Sequence, residues 1–175
     1  AFLANEPILV STGDDNSLKM WIFDQADGTA RLLRSREGHN APLLGCRHYG
    51  PSGRTILTTS MDATFRSIST FQDQQSMAFS SKALVSKNNR KLLDDERNLT
   101  PVVAMDAKPR QEREWSNVIT CHADDPNAYI WRTQTHAIAP TVLPTTQQPP
   151  KSIKAVAISP CGHFGVVASA GGWID

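Results

Sequence analysis

Ser11-Thr-Gly-Asp-Asp15-Asn-Ser-Leu-Lys-Met-Trp21 reads as a strand, a tight turn and a second strand, with an Asp in the turn and a large apolar residue six positions later. Thr58-Thr-Ser-Met-Asp62-Ala-Thr-Phe-Arg-Ser-Ile68 and Cys121-His-Ala-Asp-Asp125-Pro-Asn-Ala-Tyr-Ile-Trp131 align with it without a gap. Three copies of one hairpin make a repeat, and the period of a repeat decides the fold. Asp15 and Asp62 are 47 residues apart, close to the roughly 40 to 45 residues of a four-stranded propeller blade. Asp62 and Asp125 are 63 apart, about half a blade too long. A second landmark holds the register: Pro51-Ser-Gly53 precedes the strand leading to Asp62, and Pro160-Cys-Gly162 stands at the equivalent place in a fourth blade beginning near Ile153.

Outside these hairpins the apolar runs are of strand length: Pro7 to Thr12, Leu18 to Phe23, Thr55 to Thr59, Asn117 to Cys121, Ile153 to Ile158 and Phe164 to Ala168. Helical periodicity is scarce, so the chain is expected to be all-β. The blades are expected to be four-stranded antiparallel sheets of an incomplete ring, the first lacking its opening strand and the last stopping near Asp175. The long middle interval divides the chain into 1–75, the last blades of one propeller, 76–100, an insertion or linker, and 101–175, the first blades of a second. The Pro-rich stretch from Pro140 to Pro150 reads as a loop.

Composition narrows the function classes. Eighteen Lys and Arg against 17 Asp and Glu leave a formal charge of +1, too little for a global field that gathers nucleic acid, so any RNA contact must be local. Cys46, Cys121 and Cys161 are odd in number and far apart, which makes no disulfide framework and suits a reducing, intracellular compartment. No apolar run approaches the roughly 18 residues of a membrane helix, and Ala1 to Val10 lacks the basic start of a secretory leader. No membrane is expected as a partner.

The hairpins and their flanks resemble the WD-repeat family, whose blades carry Gly-His at the start, Ser or Thr on the second strand, Asp in the next turn and Trp-Asp on the third strand. Gly38-His39, Thr58 and Asp62 match in one blade, with Ile68-Ser69 replacing Trp-Asp. Ser11, Asp15 and Trp21 match in the blade before it, and Asp125 and Trp131 in the third, with Cys121 at the hydroxyl position. Gly171 stands where the fourth blade should carry Asp. An imidazole, a hydroxyl and a carboxylate can satisfy one another while pinning a turn, so His39, Thr58 and Asp62 are expected to form a buried structural relay. The same residue types could compose a catalytic triad, but that needs an exposed hydroxyl in a pocket. No catalytic residue, cofactor or small-molecule substrate is expected.

Other residue sets carry less. The neighbours Cys46 and His48, Cys121 and His122, and Cys161 and His163 lie 75 and 40 residues apart, without the closely spaced ligand pairs of structural zinc. The doublets Asp14-Asp15, Asp94-Asp95 and Asp124-Asp125 place adjacent carboxylates whose side chains diverge, and two of them sit in blade turns. In the stretch from Ser80 to Arg97, Lys82, Lys87, Arg90 and Lys91 precede a run of acids. This segment reads either as a solvated loop or as an arm touching RNA or a neighbouring subunit.

A closer resemblance covers most of the chain. Asn5 to Val10, Asp15 to Asp24, Arg31 to Pro42, Trp115 to His122 and Ala155 to Phe164 are similar to the tandem-propeller subunits of the UTP-B module of the small-subunit processome. The likeness implies a noncatalytic scaffold of the nucleus and nucleolus, acting in early pre-ribosomal RNA processing. Its implied partners are other UTP-B propeller subunits, the processome guide RNA and pre-ribosomal RNA. The alternative is a generic WD-repeat adaptor for peptide motifs, in ubiquitin ligation or trafficking.

Overall fold

The computed structural model describes residues 2–3, 6–81 and 99–175. It consists of two compact units, Ala1–Ala78 and Phe79–Asp175.

The first unit contains a three-stranded antiparallel sheet, β1 (Ile8–Thr12), β2 (Leu18–Ile22) and β3 (Arg31–Arg36), with Phe2 bridging to Leu9 on the other side of β1. A four-stranded sheet follows: β4 (Leu43–Tyr49), β5 (Thr55–Ser60), β6 (Phe65–Ser69) and the two-residue β7 (Met77–Ala78). Side chains alternate across a strand, so Leu18 and Met20 of β2 share a face with Val10 of β1. That face meets Leu43, Ile56 and Ile68 of the second sheet, with Leu3, in one buried cluster. Burying an aliphatic side chain of this size stabilises a fold by about 1.5 to 3 kcal/mol, so the cluster is what joins the two sheets. Polar contacts complete the joint. Arg34 of β3 donates to the carbonyls of Phe71 at 2.6 Å and Thr70 at 3.3 Å, and Arg36 pairs with Asp73 at 3.6 Å.

The second unit contains the sheet β8 (Val102–Ala107), β9 (Val118–His122), β10 (Asn127–Arg132) and β11 (Ala137–Pro144), paired in chain order, and the hairpin β12 (Ile153–Ile158) and β13 (Gly165–Ser169). Ile119, Cys121 and Ala128 pack against Ile153 and Val167. Asp106 of β8 ties the two sheets, its carboxylate accepting the backbone N–H of Ile158 and of Ala107, each at 2.7 Å.

The strand-length runs expected from the sequence are all strands, shifted by a residue at most at their starts. The stretch read as a Pro-rich loop is corrected in its first half, because β11 continues through Pro140 to Pro144. β11 ends its sheet, and proline is tolerated on such an edge, where its missing N–H breaks no ladder bond. The near end of that edge is covered: Ser80 forms a parallel bridge with Ala137, donating to the carbonyl of His136 and accepting from Ile138. Within the 76–100 segment, β7 and the Ser80 bridge are therefore ordered pairings, and 82–98 lie outside the described residues.

Candidate functional site: the polar joints of the repeats

Each hairpin of the repeat positions its polar residues by the same local device. The turn Asp accepts the backbone N–H two residues on, an Asx turn, and a residue beside it takes positive φ to reverse the chain. In the first hairpin Asp15 accepts from the N–H of Ser17 at 3.2 Å and its hydroxyl at 2.8 Å, and Asn16 has φ +61°. In the second Asp62 accepts from the N–H of Thr64 at 2.8 Å and its hydroxyl at 2.6 Å, and Ala63 also has φ +61°. The two turns are the same structure. Lys19 pairs with Asp15 at 2.5 Å and, with Ser17, holds its carboxyl at a pKa of about 2. Trp21 donates its indole Nε1–H to Ser11 Oγ at 2.8 Å, across the strand pair.

The second hairpin brings His39, Thr58 and Asp62 together, along with Thr64, which the sequence reading missed. His39 Nε2 lies 2.9 Å from Thr58 Oγ1, and His39 Nδ1 lies 2.9 Å from Thr64 Oγ1. Thr64 thus stands between the imidazole and the carboxylate, with His39 Nδ1 and Asp62 Oδ2 at 3.4 Å. The pattern settles the tautomer. An ionised carboxylate can only accept, so Thr64 donates to Asp62 and must accept from His39 Nδ1–H, which in the neutral ring leaves Nε2 as an acceptor facing the Thr58 hydroxyl, itself also 3.4 Å from the Arg66 carbonyl. The other carboxylate oxygen accepts the N–H of Asn40 at 2.8 Å, tying the loop before β4 to the β5–β6 turn. Burial alone would raise the Asp62 pKa, but the bonds from Thr64 and Asn40 and the neighbouring His39 hold it at about 2. Burial lowers the His39 pKa despite the attraction of Asp62, so the imidazole is neutral at pH 7.

Gly38 is required beside this relay. Its φ is +142°, and a Cβ there would stand 2.7 Å from Nη1 of Arg66.

The third hairpin departs from the gap-free alignment. Trp131 donates to Thr120 Oγ1 at 2.8 Å, and Cys121 lies fully buried in the apolar cluster. Cys121 therefore does not occupy the hydroxyl position. Register explains the correction: Trp21 opposes Leu9 and bonds Ser11 two residues on, while Trp131 opposes Val118 and bonds Thr120 two residues on. The turn is one residue longer, and its positive φ, +57°, falls on Asp124 before the turn Asp. Asp125 accepts from the Asn127 N–H at 2.8 Å and the Tyr129 hydroxyl at 2.8 Å. Burial, then Asp125, push the Tyr129 pKa up to about 12.

This joint has its own histidine, again missed from sequence. His122 Nε2 lies 3.2 Å from Thr120 Oγ1, and Nδ1 bonds the carbonyl of Thr100. A carbonyl can only accept, so His122 is also the Nδ1–H tautomer, and Thr120 relays from Trp131 to it. Thr120 and His122, two apart on one strand, share a face, and that Thr-x-His spacing was the available signal.

In the fourth repeat a buried Gln147 occupies the space beside Gly171, accepting from Ser169 Oγ at 2.8 Å. A Cβ on Gly171 would fall 2.0 Å from the Gln147 amide, so an Asp cannot enter without displacing it.

These arrangements hold backbone together. Thr58 has no exposed surface, which leaves its hydroxyl no approach to a substrate. Cys46, Cys121 and Cys161 are free thiols. Among the described residues no group of three or more His, Cys, Asp or Glu could hold a metal ion, and no helix is long and apolar enough to cross a membrane. Cys161 is held at a pKa of about 7 by Ser159, whose hydroxyl lies 3.1 Å away, and by His163. Asp124 pairs with Lys154 at 3.7 Å and Asp125 serves its turn, so that doublet forms no carboxylate pair. Lys82, Lys87, Arg90, Lys91, Asp94 and Asp95 lie outside the described residues.

Antiparallel sheets held internally by Trp-to-hydroxyl and hydroxyl-to-imidazole bonds, with an Asp in three of the four repeat turns, define a β-propeller protein of the WD-repeat class. Within it the chain belongs to the WDR36/Utp21 family: residues 45–175 match the WDR36/Utp21 second β-propeller domain. The match begins in β4 and so extends to both sides of the 76–100 segment at which the sequence reading divided two propellers.

Similar proteins include the U3 small nucleolar RNA-associated protein 21 homolog of Schizosaccharomyces pombe, 37% identical over 175 residues, 99% of this chain and 19% of that protein. WD repeat-containing protein 36 of Homo sapiens is 36% identical over 180 residues, 99% of this chain and 20% of that protein. U3 small nucleolar RNA-associated protein 21 of Saccharomyces cerevisiae is 30% identical over 184 residues, 99% and 19%. The chain thus spans about a fifth of the length of the curated relatives it matches.

Proposed function

We propose that the chain is part of a noncatalytic scaffold in ribosome biogenesis, serving assembly of the small-subunit processome for early pre-ribosomal RNA processing in the nucleolus. The observation that carries this reading is identity of 30 to 37% along 99% of the chain to proteins named for association with U3 small nucleolar RNA. The geometry agrees with it, since the polar residues that could suggest chemistry are occupied in holding turns and sheets. Other UTP-B propeller subunits are the proposed protein partners.

Direct contact with guide RNA or pre-ribosomal RNA is proposed through Lys82, Lys87, Arg90 and Lys91, four cations within ten residues of a chain whose net charge is only +1. The test uses the full-length protein, purified from cells with its bound RNA sequenced. Enrichment of processome guide RNA and pre-ribosomal RNA is expected, and its absence overturns the scaffold reading. Replacing the four cations by Glu should lower the RNA crosslinking yield and flatten its salt dependence. Equal yield returns that segment to a solvated loop.

A further inference from the structure

The strands that end the sheets in chain order differ in how their outer edges are protected. β7 has two residues, and β11 carries Pro140 and Pro144 and is bridged by Ser80 at its start. The outer side of β13 pairs with Asp175 through Val167. β3 has six residues, no proline and no backbone hydrogen bond beyond β2 among the described residues. Such an edge is a template for another strand.

Its open groups can be assigned. Phe23 donates its N–H to the Pro7 carbonyl, which sets the phase of β2: Trp21 and Lys19 bond toward β1, and Leu18, Met20 and Ile22 toward β3. Their partners Arg36, Arg34 and Arg31 therefore bond inward. Leu32 and Ser35, opposite Trp21 and Lys19, turn N–H and C=O outward, and the bulge at Leu33 separates them. The same alternation places Arg31, Arg34 and Arg36 on one face and Leu32, which is 49% exposed, on the other. Arg31 is paired with Asp24 and Arg36 with Asp73, whereas Arg34 reaches only carbonyls. One face of the edge thus carries three arginines, of which Arg34 lacks a carboxylate, and the other carries the exposed Leu32 beside Ser35.

We propose that the open edge of β3 is a strand-addition site for an extended segment of a partner protein that alternates acidic with apolar side chains. The acidic residues meet the arginine face and the apolar ones cover Leu32, while the backbone pairs with Leu32 and Ser35. The proposal rests on the scaffold reading only for its purpose; its test does not involve RNA.

Binding is measured on the full-length protein by fluorescence anisotropy, with a labelled synthetic peptide of alternating Glu and Val and a Lys-for-Glu version as control. Saturable binding of the Glu peptide alone is expected, with amide-exchange protection of Leu32 and Ser35. Ser35→Pro, which removes an outward N–H, and Arg34→Glu, which keeps every backbone group of β3 but gives up the bonds to the Thr70 and Phe71 carbonyls, should each weaken binding about tenfold, equivalent to about 1.4 kcal/mol. Thermal melts confirm that both variants are folded. Absence of saturable binding, equal affinity in Arg34→Glu, or protection elsewhere in the chain overturns the proposal. So does concentration-dependent self-association abolished by Ser35→Pro, which would assign the edge to a second copy. Processome RNA retained by variants that lose the peptide separates this site from the scaffold reading.

Discussion

Trp131 donates its indole proton to Thr120, 2.8 Å away across the β9–β10 pair, and Cys121, the next residue, points into the apolar cluster on the opposite face. A pleated strand sends neighbours to opposite faces, so a one-residue error in register exchanges a core position for a polar joint. Thr120→Val should therefore destabilise the folded protein by about 1 to 3 kcal/mol, since it orphans a buried indole N–H and His122 Nε2. Cys121→Ser should not compensate in the double variant, because its hydroxyl would lie among Ile119, Ala128 and Ile153. Chemical denaturation of the single and double variants checks both. Full rescue by Ser at 121 would restore the gap-free alignment.

Asp62→Ala removes the acceptor for three hydrogen bonds, from Asn40 N–H, Thr64 N–H and Thr64 Oγ1, at the centre of the best-formed relay. Loss of stability of about 1 to 3 kcal/mol is expected, with no RNA crosslink changed in the folded protein. An unchanged melting midpoint would remove Asp62 from the relay.

Acid should weaken both joints before the carboxylates titrate. Burial lowers the pKa of His39 and of His122 below the ordinary 6.5, so the unfolded chain binds protons that the folded one refuses. Their contribution is fully present above 6.5 and falls as pH drops below it. Asp62 acts lower: its stabilisation is present above the ordinary carboxylate value of 3.8 and is lost as pH falls toward about 2. Unfolding free energy measured from pH 7.5 to 5 should decline, and the decline should shrink in His39→Gln. A flat profile would mean that these imidazoles titrate alike in both states.

Gly171→Asp, which would restore the usual turn residue, should destabilise the second unit by about 1 kcal/mol, since it displaces a buried Gln147 from its bond to Ser169. Amide exchange at β12 and β13 reads this locally. Increased protection there would show that the turn tolerates the carboxylate.

The sequence by itself determined the strands of the repeated hairpins, the repeat and two of the four turns, because these are local: alternation marks a pleat, and an Asp followed by a left-handed residue closes a turn wherever it stands. Ser11 and Trp21, and His39, Thr58 and Asp62, were legible through the resemblance to the WD-repeat pattern, which places these residue types at fixed points of a blade. Tertiary structure decided what depends on residues brought together from afar. It placed Thr64 between His39 and Asp62, and chose Thr120 and His122 over Cys121 through a turn one residue longer. It set Gln147 beside Gly171 and Asp106 against the Ile158 N–H, 52 residues away. Hydrogen bonds select partners by distance and direction, and a pleated strand turns one residue of register into a change of face, so spacing alone could not choose among neighbouring polar side chains.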